Sequence, residues 1–470
     1  MKLTLIGHGR RFAVEQAVLN YFPHRDGGSA VVRLSESGRL ASVLIEYGGQ
    51  AARGRAWAAQ GAPPDNALRI AFYRAARQLI APPPWGALTG VRPVKKALAL
   101  LEDGRDVVKG LQQLYGVSAV RARMAADCAE AGAALRDRLD GRDIALYIGI
   151  PFCPTRCAYC SFVSQSVGRD AGLIDRYLEV LHGETVLAGE TVRSLGLRVR
   201  ALYWGGGTPA VLTAEQFARL LGAVGDAFSL DGLEEHTVEA GRPDAVTEEK
   251  LAAYREGGVT RVSVNPQTLS RPVLDAIGRK HTPEQFFTAF SLARAAGFRS
   301  VNTDLIAGLP GDSAEGFASG LERILSLAPE NVTVHTLARK RASRLAAEQA
   351  AVCPPETVEA MLDYAVSRLR ESGYAPYYLY RQKFSEGGFE NTGWTKPGHT
   401  CVYNLCMMEE LSSVLALGAG GVTKAITGRR IERIAHCKYP LEYIERRDTI
   451  ETKLAAFADA LSPERVGSTL

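Results

Sequence analysis

The chain has 470 residues, of which 46% are hydrophobic and 23% are charged, and its formal net charge is +5. This is the composition of a globular protein of about two or three domains. The small net charge, without Lys and Arg runs interleaved with aromatic residues, argues against a nucleic-acid partner. Eight cysteines in a chain of this size do not suggest a disulfide framework. We expect neither a signal peptide nor a membrane span, and therefore a cytoplasmic protein.

Residues 1–140 form a predicted N-terminal α+β domain, whose role the sequence does not indicate. Apolar residues at helical spacing predict helices, and two β-rich runs around a Ser-Glu-Ser-Gly turn predict a hairpin. The helices are expected at 12–21, 65–80 and 117–138, and the hairpin strands at 30–34 and 40–47. Residues 82–93 are too rich in Pro and Gly for a regular element. They predict a connector packed by Trp85 or, alternatively, a loop that offers Arg92 and Lys95 to an acidic ligand.

From residue 144 the chain alternates between strand-like and helix-like segments, a pattern typical of βα units and a parallel sheet. The predicted strands lie at 144–150, 199–204, 235–239, 260–264, 299–306 and 331–337. The predicted helices lie near 171–195, 213–228, 247–257, 283–296 and 313–327. This number of units is too small for a closed eight-stranded barrel. We therefore predict an α/β fold with a partial (β/α)6 barrel over 141–337, in which chemistry gathers at the carboxyl ends of the strands.

Residues 338–470 are less regular and form a predicted C-terminal region. A long helix is expected at 355–372, and further on comes the stretch Asn391-Thr-Gly-Trp-Thr-Lys-Pro-Gly-His399, which ends in a Lys-Pro-Gly-His loop. We expect this region to cover the open side of the barrel and to close the substrate pocket.

A cysteine motif directly follows the first predicted barrel strand. Cys153, Cys157 and Cys160 are spaced by four and three residues, and Pro151 and Pro154 prevent the loop from becoming a helix. Three thiolates in a short loop can hold one face of a 4Fe–4S cluster and leave one iron open for a ligand. A zinc site or plain buried cysteines are the alternatives, but no second ligand pair follows at zinc spacing.

A glycine motif, Gly205-Gly206-Gly207-Thr208-Pro209, ends the second predicted strand. Consecutive glycines at a strand end let a polar ligand approach bare backbone N–H groups. A tight turn is the alternative interpretation, for which a single glycine would suffice.

These two motifs together resemble the radical SAM enzymes. The segment Tyr147-Ile-Gly-Ile-Pro-Phe-Cys153 resembles, more narrowly, the oxygen-independent coproporphyrinogen III oxidase and dehydrogenase family. The N-terminal stretch Trp85-Gly followed by Leu-Thr-Gly-Val-Arg-Pro93 is similar to the HemZ-type branch. The resemblance implies the partial barrel, a 4Fe–4S cluster on the three cysteines that generates a radical, and S-adenosylmethionine on its open iron. It also implies a tetrapyrrole substrate and a low-potential electron donor such as flavodoxin or ferredoxin.

The resemblance further assigns cofactor contacts and an activity. The family positions that line cofactor sites, including a second S-adenosylmethionine in the best-known branch, correspond here to Tyr147, Tyr159, Gly205, Gly206, Gly207, Thr208, Glu239, Gln267, Arg279, Asp304, His335 and Val422. Each charged residue alone would be read as a solvated surface charge, and Val422 as packing. The implied reaction is oxidative decarboxylation of coproporphyrinogen III to protoporphyrinogen IX in haem biosynthesis.

Two points leave the substrate open. Arg339, Lys340 and Arg381 are candidates to bind substrate propionates, since guanidinium pairs with carboxylate, although a solvated basic turn is the alternative. The chain reads Cys160-Ser-Phe162, where the best-characterised oxidases carry a further cysteine at the last position. Cys-x-Phe resembles HemZ-type proteins and also the HemW-type haem chaperones. A haem chaperone, or a radical SAM enzyme that methylates or opens haem, is therefore the alternative function.

Overall fold

A computed structural model describes residues 1–22, 27–60, 63–161, 165–166, 172–338, 343–347, 353–382, 386–428 and 430–462. The chain divides into two compact units. One unit comprises Met1–Glu130 and Leu379–Asn391, and the other comprises Ala131–Tyr378 and Thr392–Leu470. This division differs from the predicted boundaries, because the C-terminal region shares a unit with the barrel and contributes one segment to the N-terminal unit. Contacts between residues so distant in the chain leave no local sequence pattern.

The first unit consists of a sheet covered by helices. Its sheet has the order β1-β2-β3-β4, with β1 parallel to β2 and the other neighbours antiparallel. The elements are β1 (Lys2–Ile6), α1 (Arg11–Tyr21), β2 (Ser29–Leu34), β3 (Leu40–Tyr47), β4 (Gln50–Trp57), α2 (Asp65–Ala76), α3 (Val94–Glu102) and α4 (Val107–Tyr115), and α5 (Ala119–Arg136) begins in this unit. The predicted hairpin is present as β2 and β3. The sequence analysis missed β4, which contains few β-branched residues; its Gly54 lies so close to α2 that a Cβ would be 2.0 Å from the Ala71 carbonyl oxygen.

Arg381 anchors the segment 379–391 within the first unit. Its buried guanidinium donates to the carbonyl oxygens of Gly388 (2.5 Å) and Leu88, and to the side-chain oxygen of Asn20 at 3.1 Å. It also lies over the ring of Trp85, 6.0 Å from the ring centre. Since its donors are directed at groups of the fold, Arg381 has a structural role in place of the expected contact with a substrate carboxylate.

Trp85 and Glu390 form a second buried anchor in the same unit. The indole Nε1 of Trp85 donates to Glu390 at 2.7 Å, and the Glu390 carboxylate lies 2.9 Å from Nε of Arg121. The side chains of Arg121 and Glu390 are each only 2% exposed. The interpretation of 82–93 as a connector packed by Trp85 is thus confirmed by the burial of this side chain.

The second unit contains the barrel. The helices and strands that follow α5 are β5 (Asp143–Ile150), β6 (Phe152–Cys153), β7 (Gln165–Ser166), α6 (Gly172–Ser194), β8 (Arg198–Gly206), α7 (Ala214–Ala227), β9 (Glu235–Gly241), α8 (Glu248–Glu256), β10 (Arg261–Val264), α9 (Arg271–Ala276), α10 (Pro283–Ala295), β11 (Ser300–Ala307), α11 (Ala314–Leu325), β12 (Asn331–Thr336), α12 (Arg344–Ala347), α13 (Pro355–Glu371), β13 (Ala375–Arg381), β14 (Glu390–Thr395), α14 (Val402–Glu409), β15 (Ser413–Leu417), β16 (Val422–Thr427), β17 (Arg430–Ala435), α15 (Pro440–Glu445) and α16 (Thr449–Leu461). All belong to the second unit except the end of β13 and the start of β14, which belong to the first. Among the described helices, none combines the length and the apolar character that a bilayer span requires.

The large sheet confirms the predicted partial barrel. Within the described part of the chain its order is β13-β14-β12-β11-β10-β9-β8-β5-β15-β16-β17, and the neighbours from β5 to β12 are all parallel. The strands are buried on both faces, as their continuous apolar runs predict. The helices begin where Thr residues cap them: Thr213 and Thr282 each form a capping box with the Gln three residues later.

The C-terminal region extends the barrel sheet at both sides. Strand β15 pairs in parallel with β5, and β14 pairs antiparallel with β12. The loop before α14 lies at the amino ends of the barrel strands, opposite the cysteines. His399 accepts at its carbonyl oxygen from Arg261 (2.8 Å) and Asn331 (3.0 Å), and its ring bonds Ser300 at 2.9 Å. Arg261, Ser300 and Asn331, at the starts of their strands, therefore hold the Lys-Pro-Gly-His loop at the amino ends of the barrel. The loop does not line a pocket at the carboxyl ends.

We predict that Arg381→Gln destabilises the first unit by about 3 kcal/mol. The shorter glutamine side chain cannot reach the buried carbonyl oxygens that the guanidinium binds, so these oxygens lose their hydrogen-bond partners. Hydrogen exchange followed by mass spectrometry should show faster exchange in residues 29–57. Arg39→Gln, at an exposed position, is the matched control and should leave exchange unchanged. Unaltered exchange in the Arg381 variant, with loss of substrate turnover instead, would restore the substrate role.

Candidate functional site

The cysteine loop is held from two sides at the carboxyl end of β5. Strand β6 ends at Cys153 and pairs with β7. The backbone N–H of Ala158 donates to the Ile277 carbonyl oxygen at 2.9 Å, and the Ala158 carbonyl oxygen accepts from Leu345 at 3.1 Å. Cys153, Cys157 and Cys160 are all half-buried. The thiols are therefore accessible to a group that binds at the mouth of the barrel.

Polar side chains from neighbouring strand ends reach two of the three sulfurs. The Thr208 hydroxyl donates to Sγ of Cys153 at 3.5 Å, and Nη1 of Arg242 donates to Sγ of Cys157 at 3.8 Å. Among the described residues, no three His, Cys, Asp or Glu side chains converge as ligands of a single metal ion. In a cubane each thiolate binds its own iron, so its ligands need not converge on one point. Three accessible thiols, two of them with hydrogen-bond donors at their sulfurs, fit a 4Fe–4S cluster.

The remaining cysteines have a different environment. Cys128, Cys353, Cys401, Cys406 and Cys437 are buried. Sγ of Cys401 donates to the Glu235 carboxylate at 3.0 Å, at the amino end of β9. Burial raises the pKa of Cys401 well above its usual value and that of Cys406 to about 11. These two side chains are therefore neutral thiols in the core, remote from the cysteine loop along the strands.

The three glycines at the carboxyl end of β8, Gly205 to Gly207, meet different constraints. A Cβ at Gly207 would lie 2.3 Å from the Phe152 carbonyl oxygen, so this glycine permits close packing against the cysteine loop. Gly206 has a φ of +107°, a conformation that other residues rarely adopt. At Gly205 a Cβ would face the side chains of Tyr147, Tyr203 and Glu239 at 3.1 to 3.2 Å. A side chain at Gly205 would therefore crowd these three side chains, whereas one at Gly207 would collide with backbone.

An aromatic stack lies inside the barrel beside Glu239. The rings of Tyr203 and Tyr403 are stacked at 4.2 Å, and Tyr147 stacks 6.0 Å from Tyr403. The Tyr203 hydroxyl donates to the Glu239 carboxylate. Burial, with a contribution from the Asp304 charge, raises the pKa of Glu239 to about 7. This carboxyl can therefore exist in either protonation state near neutral pH.

Several polar atoms near the carboxyl end of β10 are buried without a hydrogen-bond partner among the described residues. They are Oδ1 of Asn265, Oε1 of Gln267 and Nε of Arg279. Gln267 has a φ of +68°, which is unusual for a non-glycine residue, and its backbone bridges to β11. Arg279 is fixed by donating to the Asn265 carbonyl oxygen at 2.7 Å and to the Tyr159 hydroxyl at 3.3 Å. Orphaned acceptors beside a fixed guanidinium fit the ammonium and carboxylate of an amino-acid ligand.

Asp304 and His335 complete the carboxyl end of the barrel. Nε2 of His335 lies 3.7 Å from Oδ2 of Asp304, and Asn302 donates to Oδ1 of Asp304 at 2.8 Å. Burial alone would raise the pKa of Asp304, but these partners hold it below its usual value. Val422 is further along the sheet, at the start of β16, and is 39% exposed. Arg339, Lys340 and Phe162 lie outside the described residues.

The sequence analysis missed Arg242, Tyr203 and Tyr403. Arg242 directly follows β9, where a charged residue before a proline is a recognisable signal at a strand end. Tyr203 lies within β8 and reads as ordinary core. Tyr403 comes from α14, far along the chain, so no local pattern relates it to the site.

Comparisons with known proteins agree with this geometry. The family model of the radical SAM superfamily matches residues 147–324. The "oxygen-independent coproporphyrinogen-III oxidase-like protein HemZ" of Bacillus subtilis is 39% identical over 77% of this chain and 74% of its own length. The "heme chaperone HemW" of Mycobacterium tuberculosis is 30% identical over 70% of this chain and 81% of its own length.

The solved structure of coproporphyrinogen III oxidase HemN from Escherichia coli has the same fold. It superposes with a TM-score of 0.54 at 24% identity and covers 68% of this chain and 73% of its own. The superfamily implies a 4Fe–4S cluster and S-adenosylmethionine, and the thiols and orphaned polar atoms described above fit both. The chain belongs to the radical SAM superfamily and, within it, to the HemN/HemZ family.

Proposed function

We propose that this protein is an oxygen-independent coproporphyrinogen dehydrogenase of the HemZ type, which converts coproporphyrinogen III to protoporphyrinogen IX in haem biosynthesis. One observation carries the proposal. Accessible thiols, a glycine motif and orphaned polar atoms meet at the carboxyl ends of consecutive parallel strands. That is the edge at which a barrel of this kind holds its reactants. The likeness to HemZ supports the choice of substrate.

Cys153, Cys157 and Cys160 would hold the cluster in this proposal. When bound, the cluster and S-adenosylmethionine supply the one-electron chemistry and the carbon radical that takes a hydrogen atom from the substrate. Thr208 and Arg242 donate to the sulfurs of Cys153 and Cys157 and would orient these side chains as ligands of the cluster. The electron would come from a low-potential donor such as a flavodoxin or ferredoxin.

The orphaned groups would bind the amino-acid end of S-adenosylmethionine. Oε1 of Gln267 is an acceptor for an ammonium group, and Arg279 is a donor for a carboxylate. Tyr159 orients Arg279 from the cysteine loop. Gly205, Gly206 and Thr208 shape the backbone beside them, while Tyr147 and Glu239 form the wall. Because these groups are fixed by the fold, little reorganisation is needed on binding.

The substrate contacts stay predictions. Arg339 and Lys340, which follow β12 in the sequence, would pair with propionates. Asp304 and His335, which contact each other on β11 and β12, would line the site of the substrate or of a second S-adenosylmethionine. Val422 is a further candidate contact of that second cofactor.

A haem chaperone is the second candidate function. It is favoured by the Cys160-Ser-Phe162 sequence, which lacks the further cysteine of the best-characterised oxidases. The likeness to HemW also supports it. The two functions differ in outcome: a chaperone binds haem without forming vinyl groups, whereas the dehydrogenase must place a propionate within about 3–3.5 Å of the abstracting carbon.

We predict that each of the single substitutions Cys153→Ala, Cys157→Ala and Cys160→Ala removes the cluster, because all three thiolates are needed to hold it. Iron content and the thiolate-to-iron absorption band of the anaerobically reconstituted protein measure the loss. Cys401→Ala is the control and should leave both unchanged. An equal loss in the control would show that the ligand set is wrong.

Alanine substitutions at neighbouring glycines should separate the cluster from the cofactor. Gly207→Ala forces a Cβ onto the Phe152 carbonyl oxygen and should lower cluster content several-fold. Gly205→Ala should retain the cluster but weaken S-adenosylmethionine binding about tenfold, since it crowds only side chains. Cluster content is read from iron analysis, and affinity from the change in the EPR signal of the reduced cluster. The opposite order of effects would contradict these assignments.

Coproporphyrinogen III deuterated at the propionate β-carbons tests the reaction itself. In the dehydrogenase, anaerobic turnover with a low-potential reductant should transfer deuterium into 5′-deoxyadenosine and form vinyl products. Mass spectrometry measures both, and Cys157→Ala protein, which lacks the cluster, is the blank. Cofactor cleavage without deuterium transfer, in cluster-loaded protein that binds haem, would favour the chaperone.

A further inference from the structure

Arg242 is a buried cation that contacts the cysteine loop. It follows the last residue of β9 and is only 3% exposed. Its Nη1 donates to the Thr155 hydroxyl at 3.0 Å and to Sγ of Cys157 at 3.8 Å. Since Thr155 lies between Cys153 and Cys157 in the chain, one guanidinium ties the loop to the strand end.

Asp244 fixes the orientation of this guanidinium. Nε of Arg242 donates to Oδ1 of Asp244 and Nη2 donates to Oδ2, both at 2.9 Å. This bidentate pairing leaves Nη1 directed at the loop. The Asp244 side chain is 22% exposed, whereas that of Arg242 is 3% exposed. Water therefore screens the charge of Asp244 better than that of Arg242.

Two further basic residues lie in the surroundings of Arg242. Arg279 donates hydrogen bonds to Asn265 and Tyr159, also interacts with Cys157, and belongs to the cofactor set described above. The His281 side chain is fully buried, and burial together with the Arg279 charge lowers its pKa to about 3, so the ring is neutral. Arg242 is thus the cation that both contacts a cysteine sulfur and lies outside the proposed cofactor contacts.

We infer that Arg242 is a positioning residue that raises the reduction potential of the cluster and that Asp244 moderates this effect. The inference rests on the cluster site proposed for the three cysteines. Reduction by the external donor adds one electron and no proton, and the added negative charge is shared by the cluster and its sulfurs. A buried cation at one of those sulfurs stabilises the reduced state more than the oxidised state, because the low dielectric strengthens the attraction. Hydrogen bonds and charges beside the sulfurs are among the factors that set the potential of such a cluster.

The two partners predict shifts of opposite sign. Arg242→Gln keeps a hydrogen-bond donor but removes the charge, and should disfavour reduction about tenfold, which corresponds to a potential lower by about 59 mV. Asp244→Asn removes the moderating negative charge and should raise the potential. Arg242→Lys retains the cation and should recover most of the wild-type value. The measurement is an EPR-monitored redox titration of the reconstituted full-length protein without S-adenosylmethionine.

A purely structural role would give a different result. Loss of the ion pair would then lower cluster content in both the Arg242→Gln and Asp244→Asn proteins, with no opposite shifts in potential and no rescue by Lys. Arg271→Gln, which removes an exposed cation paired with Asp275, is the matched control and should leave the potential unchanged. Unshifted potentials in cluster-loaded variants overturn this inference and leave the cluster site intact, whereas wild-type protein that cannot hold a cluster overturns the site and the inference together.

Discussion

The close approach of two backbones, at Gly207 and Phe152, is the constraint on which the site depends. Gly207 donates to the Ile150 carbonyl oxygen at 2.9 Å, and Thr208 donates to that of Phe152 at 2.8 Å. These bonds continue the pairing of β5 and β8 beyond the ends of the strands. A side chain at Gly207 would separate them. The contact therefore sets the distance between the cysteine loop and the glycine motif, and it also brings Thr208 to the sulfur of Cys153.

The barrel separates buried charges along its axis. Arg242 and Arg279 lie next to the cysteine loop, and Glu239 and Asp304 lie beside each other deeper in the barrel. At the amino ends, Glu235 pairs with Arg261 at 3.3 Å, and its carboxylate accepts from the backbone N–H of Val402 at 2.9 Å. Each group has a partner of opposite charge or a donor, as burial requires. This arrangement leaves positive charge where thiolates are expected and neutral or negative groups in the interior.

The barrel could be predicted from the sequence because the patterns that specify its strands and helices lie within short segments of the chain. Continuous apolar runs ending in Gly or polar residues specify strands such as β5 and β8, and Thr caps specify the start of helices such as α7. The strands that carry Glu239 and Asp304 followed from the same alternation, although both residues lie within their strands and not at the ends. The contacts of Arg381 and Tyr403 could not be predicted, since they join segments separated by hundreds of residues. The sequence does not distinguish an exposed arginine that binds a substrate from a buried arginine that stabilises the fold, because the two differ only in burial.

The orphaned polar atoms near β10 bear on what the barrel binds. A buried donor or acceptor without a partner costs on the order of 1–3 kcal/mol. Asn265 and Gln267, with their orphaned Oδ1 and Oε1, directly follow the strand, and Gln267 adopts a strained backbone. Arg279, whose Nε is also orphaned, comes after α9 and donates to the Asn265 carbonyl oxygen. Such costs are offset when a ligand brings complementary charged groups to this place. A tetrapyrrole carries carboxylates for the guanidinium but no ammonium for the acceptors, whereas an amino acid, with both groups on one carbon, matches an acceptor and a guanidinium side by side. The carboxyl end of β10 therefore fits the amino-acid end of S-adenosylmethionine under both proposed functions, which differ in where a tetrapyrrole would lie relative to that cofactor.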